Sequence, residues 1–128
     1  MPRATQLSVS LDNRPGQLAK LAGALQRAKV NILALSVVDN TDTGAVRLVT
    51  DNSAKAARAL ARSGMKPTRQ AVLVLQLANE PGALADASAR LAKVAVNINY
   101  IYGSVARAAK QGILVLGVSN LDKALKAL

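Results

Sequence analysis

Two short polar turns carry the residue types best suited to hold a small ligand. The first reads DNRPG over residues 12–16, and the second, ANEPG, lies 66 residues later at 78–82. Asparagine caps helices or closes Asx turns, proline has a φ preset for the first turn of a helix, and glycine lets a backbone or ligand approach closely. A helical pattern follows each turn, and the amides at a helix N-terminus attract a carboxylate or phosphate. The turns are therefore either anion-binding helix starts or simply tight strand-to-helix connections.

The chain contains few residues that are suited to catalysis or to metal binding. Its 128 residues include no His and no Cys, which removes the commonest acid–base group, the commonest metal ligand and any thiolate or disulfide. The seven acidic residues are scattered, so their spacing assembles no nucleophile–base pair or metal cluster. We therefore predict a protein that is not an enzyme and that uses no metal or cofactor.

The charge balance leaves several kinds of partner open. A net charge of +10, from 17 basic and 7 acidic residues, suits a nucleic acid, an anionic membrane or an anionic ligand. The charges occur singly, as they do on solvated helix faces. No apolar run approaches the roughly 18 residues of a membrane span, and the N-terminus lacks the apolar core of a secretion signal. These features predict a cytoplasmic protein without a membrane partner.

The elements around the two turns are repeated. Shifting residues 7–32 by 66 positions gives 11 identities in 26, and shifting residues 44–60 by 68 gives 7 in 17. A period of this length suits two copies of a small domain, which we place at residues 1–69 and 70–128. The two extra residues are expected in the hairpin that follows the second strand of the second copy.

Hydrophobic periodicity gives each copy the order βαββαβ. This order predicts an α+β fold of two tandem ferredoxin-like domains, each with an antiparallel sheet and both helices on one face. The second copy ends at a position equivalent to Leu60, so its last strand is expected to be missing. Either the chain is truncated, or the sheet edge is left open or filled by another segment. The elements predicted for the first copy are strand Gln6–Leu11, a helix over Leu18–Ala28, strand Ile32–Val38, a turn at 39–44, strand Ala45–Thr50, a helix capped by Ser53 and ending at Gly64, and a short strand at Met65–Arg69 before strand Gln70–Leu77.

The second strand of the first copy is apolar at almost every position, which is typical of a strand covered on both faces. The helices can cover only one face. The other face then needs the sister domain or a second chain, so we expect a homo-oligomer, a dimer or larger.

The sequences DNRPGQLAKLAGALQRAKVNILAL and NEPGALADASARLAKVAVNINYI resemble the start of ACT domains, the small ligand-binding modules attached to enzymes of amino-acid biosynthesis. The shared pattern is a strand, N-x-P-G-x-L, a helix, and V-N-I at the second strand. The resemblance spans essentially the whole chain as a tandem pair without an attached enzyme. Such stand-alone pairs are usually described as amino-acid-binding regulators.

The resemblance implies a ligand site between domains, at the first loop and the start of the second strand. Helix amides at Gly16–Leu18 would hold the carboxylate of an amino acid, and Asp12 would pair with its ammonium group. Ala78 replaces Asp12 in the second copy, so the first copy is expected to be the better equipped. Asn31 and Asn97 fit a ligand role and a simple turn role equally. The implied residues are Asp12, Asn13, Pro15, Gly16, Gln17, Leu18, Asn31 and Ile32 in the first copy, and Asn79, Pro81, Gly82, Ala83, Leu84, Asn97 and Ile98 in the second.

The leading hypothesis is thus a non-catalytic regulatory protein that senses an amino acid and modulates a partner enzyme of amino-acid metabolism. The alternative is a basic ferredoxin-like module that binds nucleic acid non-specifically, since the same fold supports RNA-recognition motifs. Those modules stack bases on aromatic residues of the third strand, whereas the third strands here, AVRLVT and ILVLGVS, have none. Specific base recognition is therefore not expected.

Overall fold

The computed structural model describes residues 2–40 and 43–128. It is α+β and divides into two compact units, residues 5–70 and residues 71–128 together with residues 2–4. The turn predicted at 39–44 includes positions 41 and 42, which lie outside the described residues. The elements are β1 (Arg3–Asp12), α1 (Gln17–Arg27), β2 (Ile32–Asn40), β3 (Thr43–Thr50), α2 (Ser53–Arg62), β4 (Thr68–Ala78), α3 (Ala83–Lys93), β5 (Ile98–Ser104), β6 (Gln111–Val118) and α4 (Leu121–Ala127).

The N-terminal unit has the predicted ferredoxin-like arrangement. Its strands are antiparallel in the order β2-β3-β1, with Val9 opposite Val46. Because side chains alternate along a strand, the apolar residues of β1 and β3 share one face. Both helices pack on that face, in one buried cluster that includes Leu7, Val9, Leu21, Leu25, Leu48 and Leu60.

The C-terminal unit repeats this arrangement with strands in the order β4-β6-β5. Its core is aliphatic, with Leu73, Leu91, Val96, Leu116 and Ala124 buried together. The connection between β5 and β6 covers residues 105–110. The two inserted residues fall in this connection, as predicted.

The strand that was expected to end the first copy does not exist as a separate element. The short strand expected at 65–69 begins only at Thr68, and it runs without a break into the strand expected at 70–77, so that β4 spans Thr68 to Ala78. No Gly or Pro interrupts that stretch, and an extended chain needs such a residue, or a turn, to stop. Its first residues belong to the N-terminal unit, where the Thr68 hydroxyl donates to the Ser8 carbonyl at 3.4 Å.

The edge left open by the missing last strand is filled by another segment. Residues 2–4 group with the C-terminal unit, and the Val74 amide donates to the Pro2 carbonyl at 2.6 Å. Val74 is the repeat counterpart of Ser8, the residue that contacts the start of β4 in the N-terminal unit. Arg3 also forms an exposed ion pair with Asp122 at 2.8 Å. The beginning of the chain therefore takes the position that the fourth strand holds in the first copy.

The helices begin and end through specific hydrogen bonds. The prediction that Ser53 caps α2 is wrong by one residue, because Asn52 has the extended backbone of an N-cap and its Oδ1 accepts from the Lys55 amide at 3.0 Å. Asn120 caps α4 in the same way. Gly64 has a φ of 84° after α2, which confirms the predicted left-handed residue there.

The V-N-I segment owes its valine to the way α1 and α3 end. The Val30 amide donates to the Leu25 carbonyl at 3.0 Å, and the Val96 amide donates to the Leu91 carbonyl at 2.9 Å. Each is the bond between residues five positions apart that closes a Schellman motif. In this motif the residue that precedes the amide donor is left-handed, and the donor residue itself is commonly apolar. Both valines are buried. The left-handed positions, however, hold Lys29 and Ala95, each with a φ of 58°.

A left-handed conformation costs a non-glycine residue free energy, so Ala95→Gly should stabilise the protein. We expect the free energy of unfolding to rise by about 0.5–1 kcal/mol. This value is the backbone strain that glycine relieves, minus the stability lost because glycine increases the entropy of the unfolded chain. Urea unfolding followed by circular dichroism measures this change.

Ala89→Gly is the matched control, because Ala89 is exposed in the middle of α3. The same substitution there should lower the free energy of unfolding by about 1 kcal/mol. Equal destabilisation by both variants would contradict the account of the helix end.

Candidate functional site

The two Pro-Gly sequences form type II turns. The Gln17 amide donates to the Arg14 carbonyl at 3.5 Å, and the Ala83 amide donates to the Glu80 carbonyl at 3.4 Å. The third residue of a type II turn needs a φ near +80°, and Gly16 and Gly82 have φ values of 89° and 91°. A Cβ on either glycine would meet nothing within 4 Å. Backbone conformation, rather than a crowded protein neighbour, thus requires glycine here.

These turns correct two sequence-based interpretations. Of the two roles left open for Asn13 and Asn79, the helix cap is wrong, because the helices begin only at residues 17 and 83 and glycine occupies both N-cap positions without a side-chain cap. The prolines likewise lie in the turn rather than in the first turn of a helix. The second position of a type II turn requires a φ near −60°, as does the first turn of a helix. Proline is therefore suited to either position.

Asn79 holds the β5–β6 connection against the second turn. Its side-chain amide donates to the Ala109 carbonyl at 2.8 Å, and its main-chain amide donates to the Lys110 carbonyl at 2.8 Å. The longer connection of the second copy is therefore anchored on the turn asparagine, which gives this residue a structural role.

In the N-terminal unit the first turn borders a small cavity of about 100 Å³. Four predicted site residues line it together, and Pro15 and Gly16 lie exposed in the turn beside it. The Asp12 carboxylate is 3.5 Å from the Arg14 guanidinium. The lining residues are Leu11, Asp12, Asn13, Arg14, Gln17, Leu18, Val37, Gly44 and Val46.

A second and more polar cavity, of about 340 Å³, also borders Asp12 and Gln17. Lys20 and Lys66 contribute the cationic groups of its lining. One acidic and two basic residues thus line the same cavity. The charges of a free amino acid are complementary to this set.

In the C-terminal unit the second turn borders a cavity of about 210 Å³. Of the predicted residues, Asn79, Ala83 and Leu84 line it, while Pro81 and Gly82 lie exposed in the turn. The strand residues were not predicted, although the antiparallel topology brings the ends of the first two strands and the start of the third to one end of a sheet. The complete lining is Leu77, Ala78, Asn79, Glu80, Ala83, Leu84, Ser104, Val105, Gly112, Ile113 and Leu114.

Within each unit, the start of the second strand lies at the other end of the sheet. Ile32 is five residues, roughly 17 Å along β2, from Val37 at the cavity, and Ile98 opens β5 in the same way. The Asn31 amide donates to the Asp51 carboxylate at 3.1 Å, and the Asp51 amide donates to the Asn31 carbonyl at 3.1 Å. A crossover helix returns the chain to the opposite end of a sheet, so one unit alone cannot bring Asn31 to the turn.

Asn97 repeats this reciprocal contact with Ser119. The Asn97 amide donates to the Ser119 hydroxyl, and the Ser119 amide donates to the Asn97 carbonyl, both at 2.9 Å. The side chain of Asn97 donates to the Asn99 side chain at 2.8 Å. The main chain at the asparagine of V-N-I is therefore tied to the segment after the third strand in both copies.

Neither a metal cluster nor a membrane-spanning helix occurs in residues 2–40 and 43–128. Among these residues, no three His, Cys, Asp or Glu side chains are grouped so that they could hold a metal ion. None of the helices in this part of the chain is long and apolar enough to span a membrane.

Known structures show the same fold. The crystal structure of protein BT0572 from Bacteroides thetaiotaomicron has a TM-score of 0.93 and 30% sequence identity, over 99% of this chain and 87% of that one. The ligand-free regulatory subunit of aspartate kinase from Thermus thermophilus has a TM-score of 0.72 at 17% identity, over 97% and 89% of the two chains. The corresponding subunit from Thermus flavus has a TM-score of 0.63 at 17% identity, over 99% and 90%. The Thermus structures share the fold with this chain.

The sequence comparisons agree with the motifs. No curated protein sequence matches the chain, but the family model for an ACT domain pair matches residues 3–128. ACT domains are regulatory modules that sense small molecules. With the match spanning both repeats and their turns, the chain belongs to the ACT domain pair family.

Proposed function

We propose that this protein is a non-catalytic regulator that binds a free amino acid at its turn cavities and modulates an enzyme of amino-acid metabolism. The observation that carries the proposal is the repeated Pro-Gly turn, which borders a cavity at the same place in each unit. The fold shared with aspartate kinase regulatory subunits supports a role in amino-acid metabolism. A cytoplasmic location stays a prediction from the sequence.

The charges around the first turn suit an amino acid. The Asp12 carboxylate can accept hydrogen bonds from an α-ammonium group, and Lys20 can pair with an α-carboxylate. Gln17 lies between the two cavities and lines both. An amino acid at this position would therefore meet groups of the opposite charge at each end.

The expected homo-oligomer is part of the proposal. Asn31 and Ile32 lie at the far end of their own sheet, so within one unit they cannot join the turn residues. β2 is the outer strand in the order β2-β3-β1, and Leu33 and Val37 on it are 54% and 52% exposed. An outer strand with exposed apolar side chains readily pairs with another chain. We therefore propose a homo-oligomer that is joined through this strand.

The alternative, non-specific binding of nucleic acid, is supported by charge alone. The ring of Tyr100 lies over Gly117, where a Cβ would fall 2.2 Å from ring atoms. The ring fills the place of a side chain on β6. The Tyr100 ring is thus used in packing within the sheet.

Ligand binding is expected to raise the melting temperature of the full-length protein. A ligand at one hundred times its Kd stabilises the folded state by about 2.7 kcal/mol, which is a shift of several degrees. A thermal-shift panel of the standard amino acids should therefore identify at least one stabilising ligand.

The double variant Leu18→Glu and Leu84→Glu should lose the shift, because both side chains line cavities and the new carboxylates repel the carboxylate of the ligand.

Glutamate in the first turn of a helix is compatible with folding, so the double variant should keep its circular dichroism spectrum. Ala19→Glu with Ala85→Glu is the matched control at the next, exposed positions of the same helices. That control should retain the ligand shift. If no amino acid stabilises the unmodified protein, the proposed function is wrong.

The oligomeric state tests the role of β2. Size-exclusion chromatography with light scattering should give a mass of at least two chains, and Leu33→Lys with Leu35→Lys should reduce it to that of one. Both leucines are exposed in a single chain, so lysine at these positions should leave the fold intact. Association through β2 would have to desolvate the two lysines, which disfavours the oligomer. Ala22→Lys, on the exposed face of α1, should leave the mass unchanged. A single-chain mass for the unmodified protein would contradict the oligomer.

A further inference from the structure

We propose that the cavity at the second turn binds the large apolar side chain of an amino acid, so that the two units differ in ligand class. This inference rests on the proposed function and names the ligand of one of its two sites. It also reverses the expectation that the first copy is the better equipped.

The cavities at the first and second turns occupy equivalent positions in the two units. The repeat relates six lining positions within residues 11–18 to six within residues 77–84, and it relates Gly44 to Gly112 and Val46 to Leu114. Their volumes nevertheless differ, at about 100 Å³ and about 210 Å³. The second lining differs from the first both in its side chains and in Val105, which belongs to the longer β5–β6 connection.

Two substitutions at lining positions, and a third beside the cavity, accompany the larger space. Where the first copy has Asp12 and Gln17, the second has Ala78 and Ala83. Val37, which lines the smaller cavity, corresponds to Gly103. A Cβ at Gly103 would fall 2.1 Å from the Ile113 carbonyl oxygen, so the close approach of β6 keeps this position without a side chain.

The same substitutions make the second cavity apolar. Leucine, isoleucine, valine and alanine residues together provide most of its lining, and Ala78 stands where the first copy has the Asp12 carboxylate. The side-chain amide of Asn79 bonds to the Ala109 carbonyl. An empty apolar cavity of about 150 Å³ accepts benzene in other proteins, so a space of about 210 Å³ is large enough for the side chain of leucine, isoleucine or phenylalanine.

The mouth of the cavity carries a charge suited to the other end of the ligand. Glu80 lines the cavity and is exposed, whereas Arg14 occupies the equivalent place in the first copy. A carboxylate there can pair with the ammonium group of an amino acid whose side chain points inward. Leu84 and Val105, which are 50% and 43% exposed, would be covered by the bound side chain.

Ala83→Gln tests the proposal, because it places the residue of the first copy into the second cavity. Isothermal titration of the full-length protein with leucine and with phenylalanine should show binding of at least one of them. The variant should raise the Kd of that ligand about tenfold or more, as expected when an apolar pocket loses space and gains a polar group. Ala85→Gln, an exposed position on the same helix, should bind as tightly as the unmodified protein.

A second variant, Ala78→Asp, keeps the test open if Ala83→Gln does not fold, and circular dichroism decides which variants are folded. Affinity unchanged in both folded variants would overturn the assignment to this cavity. Binding of serine or aspartate, with none of leucine or phenylalanine, would overturn the apolar ligand class while leaving the proposed function intact. If no amino acid binds at all, the proposed function fails together with this inference.

Discussion

A positive φ at two glycines is the constraint on which the arrangement of this protein depends. Gly16 and Gly82 allow the chain to turn from a strand into a helix within four residues. The short turn fixes the direction in which each helix leaves its strand, and so it directs Leu21 and Leu25 of α1 onto the apolar face of β1 and β3. It also places the first turn of the helix beside the ends of the strands, where each cavity lies.

The two copies show how such a scaffold can change its chemistry. The turn, the buried valine after the first helix and the reciprocal contact at the start of the second strand are the same in both. The residues that line the cavities differ, with an acidic–basic pair at Asp12 and Arg14 replaced by Ala78 and Glu80. Residues that determine the backbone are thus separate from residues that determine the ligand. A repeat of this kind can keep its fold while its two sites diverge.

Much of the fold could be predicted because its signals are local. The amphipathic spacing of α1, the alternation in β1 and β3 and the left-handed Gly64 all depend on residues within one element or turn. The errors at the helix starts are local and arise because neighbouring residues, such as Asn52 and Ser53, are equally good caps. Contacts between residues far apart in the chain were not predicted at all. Pro2 accepts from Val74, and Asn79 bonds to a connection 30 residues away, and no local pattern indicates either contact. The site was predicted only in part, since the sequence names the turn residues but not Val105 or Ile113 on the strands behind them.

The most direct test is to map which backbone amides respond when leucine or phenylalanine is titrated into the full-length protein, using two-dimensional NMR spectra. The account predicts that the largest shift changes occur at residues 77–84, 104–105 and 112–114, which line the larger cavity. Saturating changes confined to the exposed faces of α2 or α4, with the turn residues unaffected, would contradict the claim that the repeated Pro-Gly turn positions the ligand site.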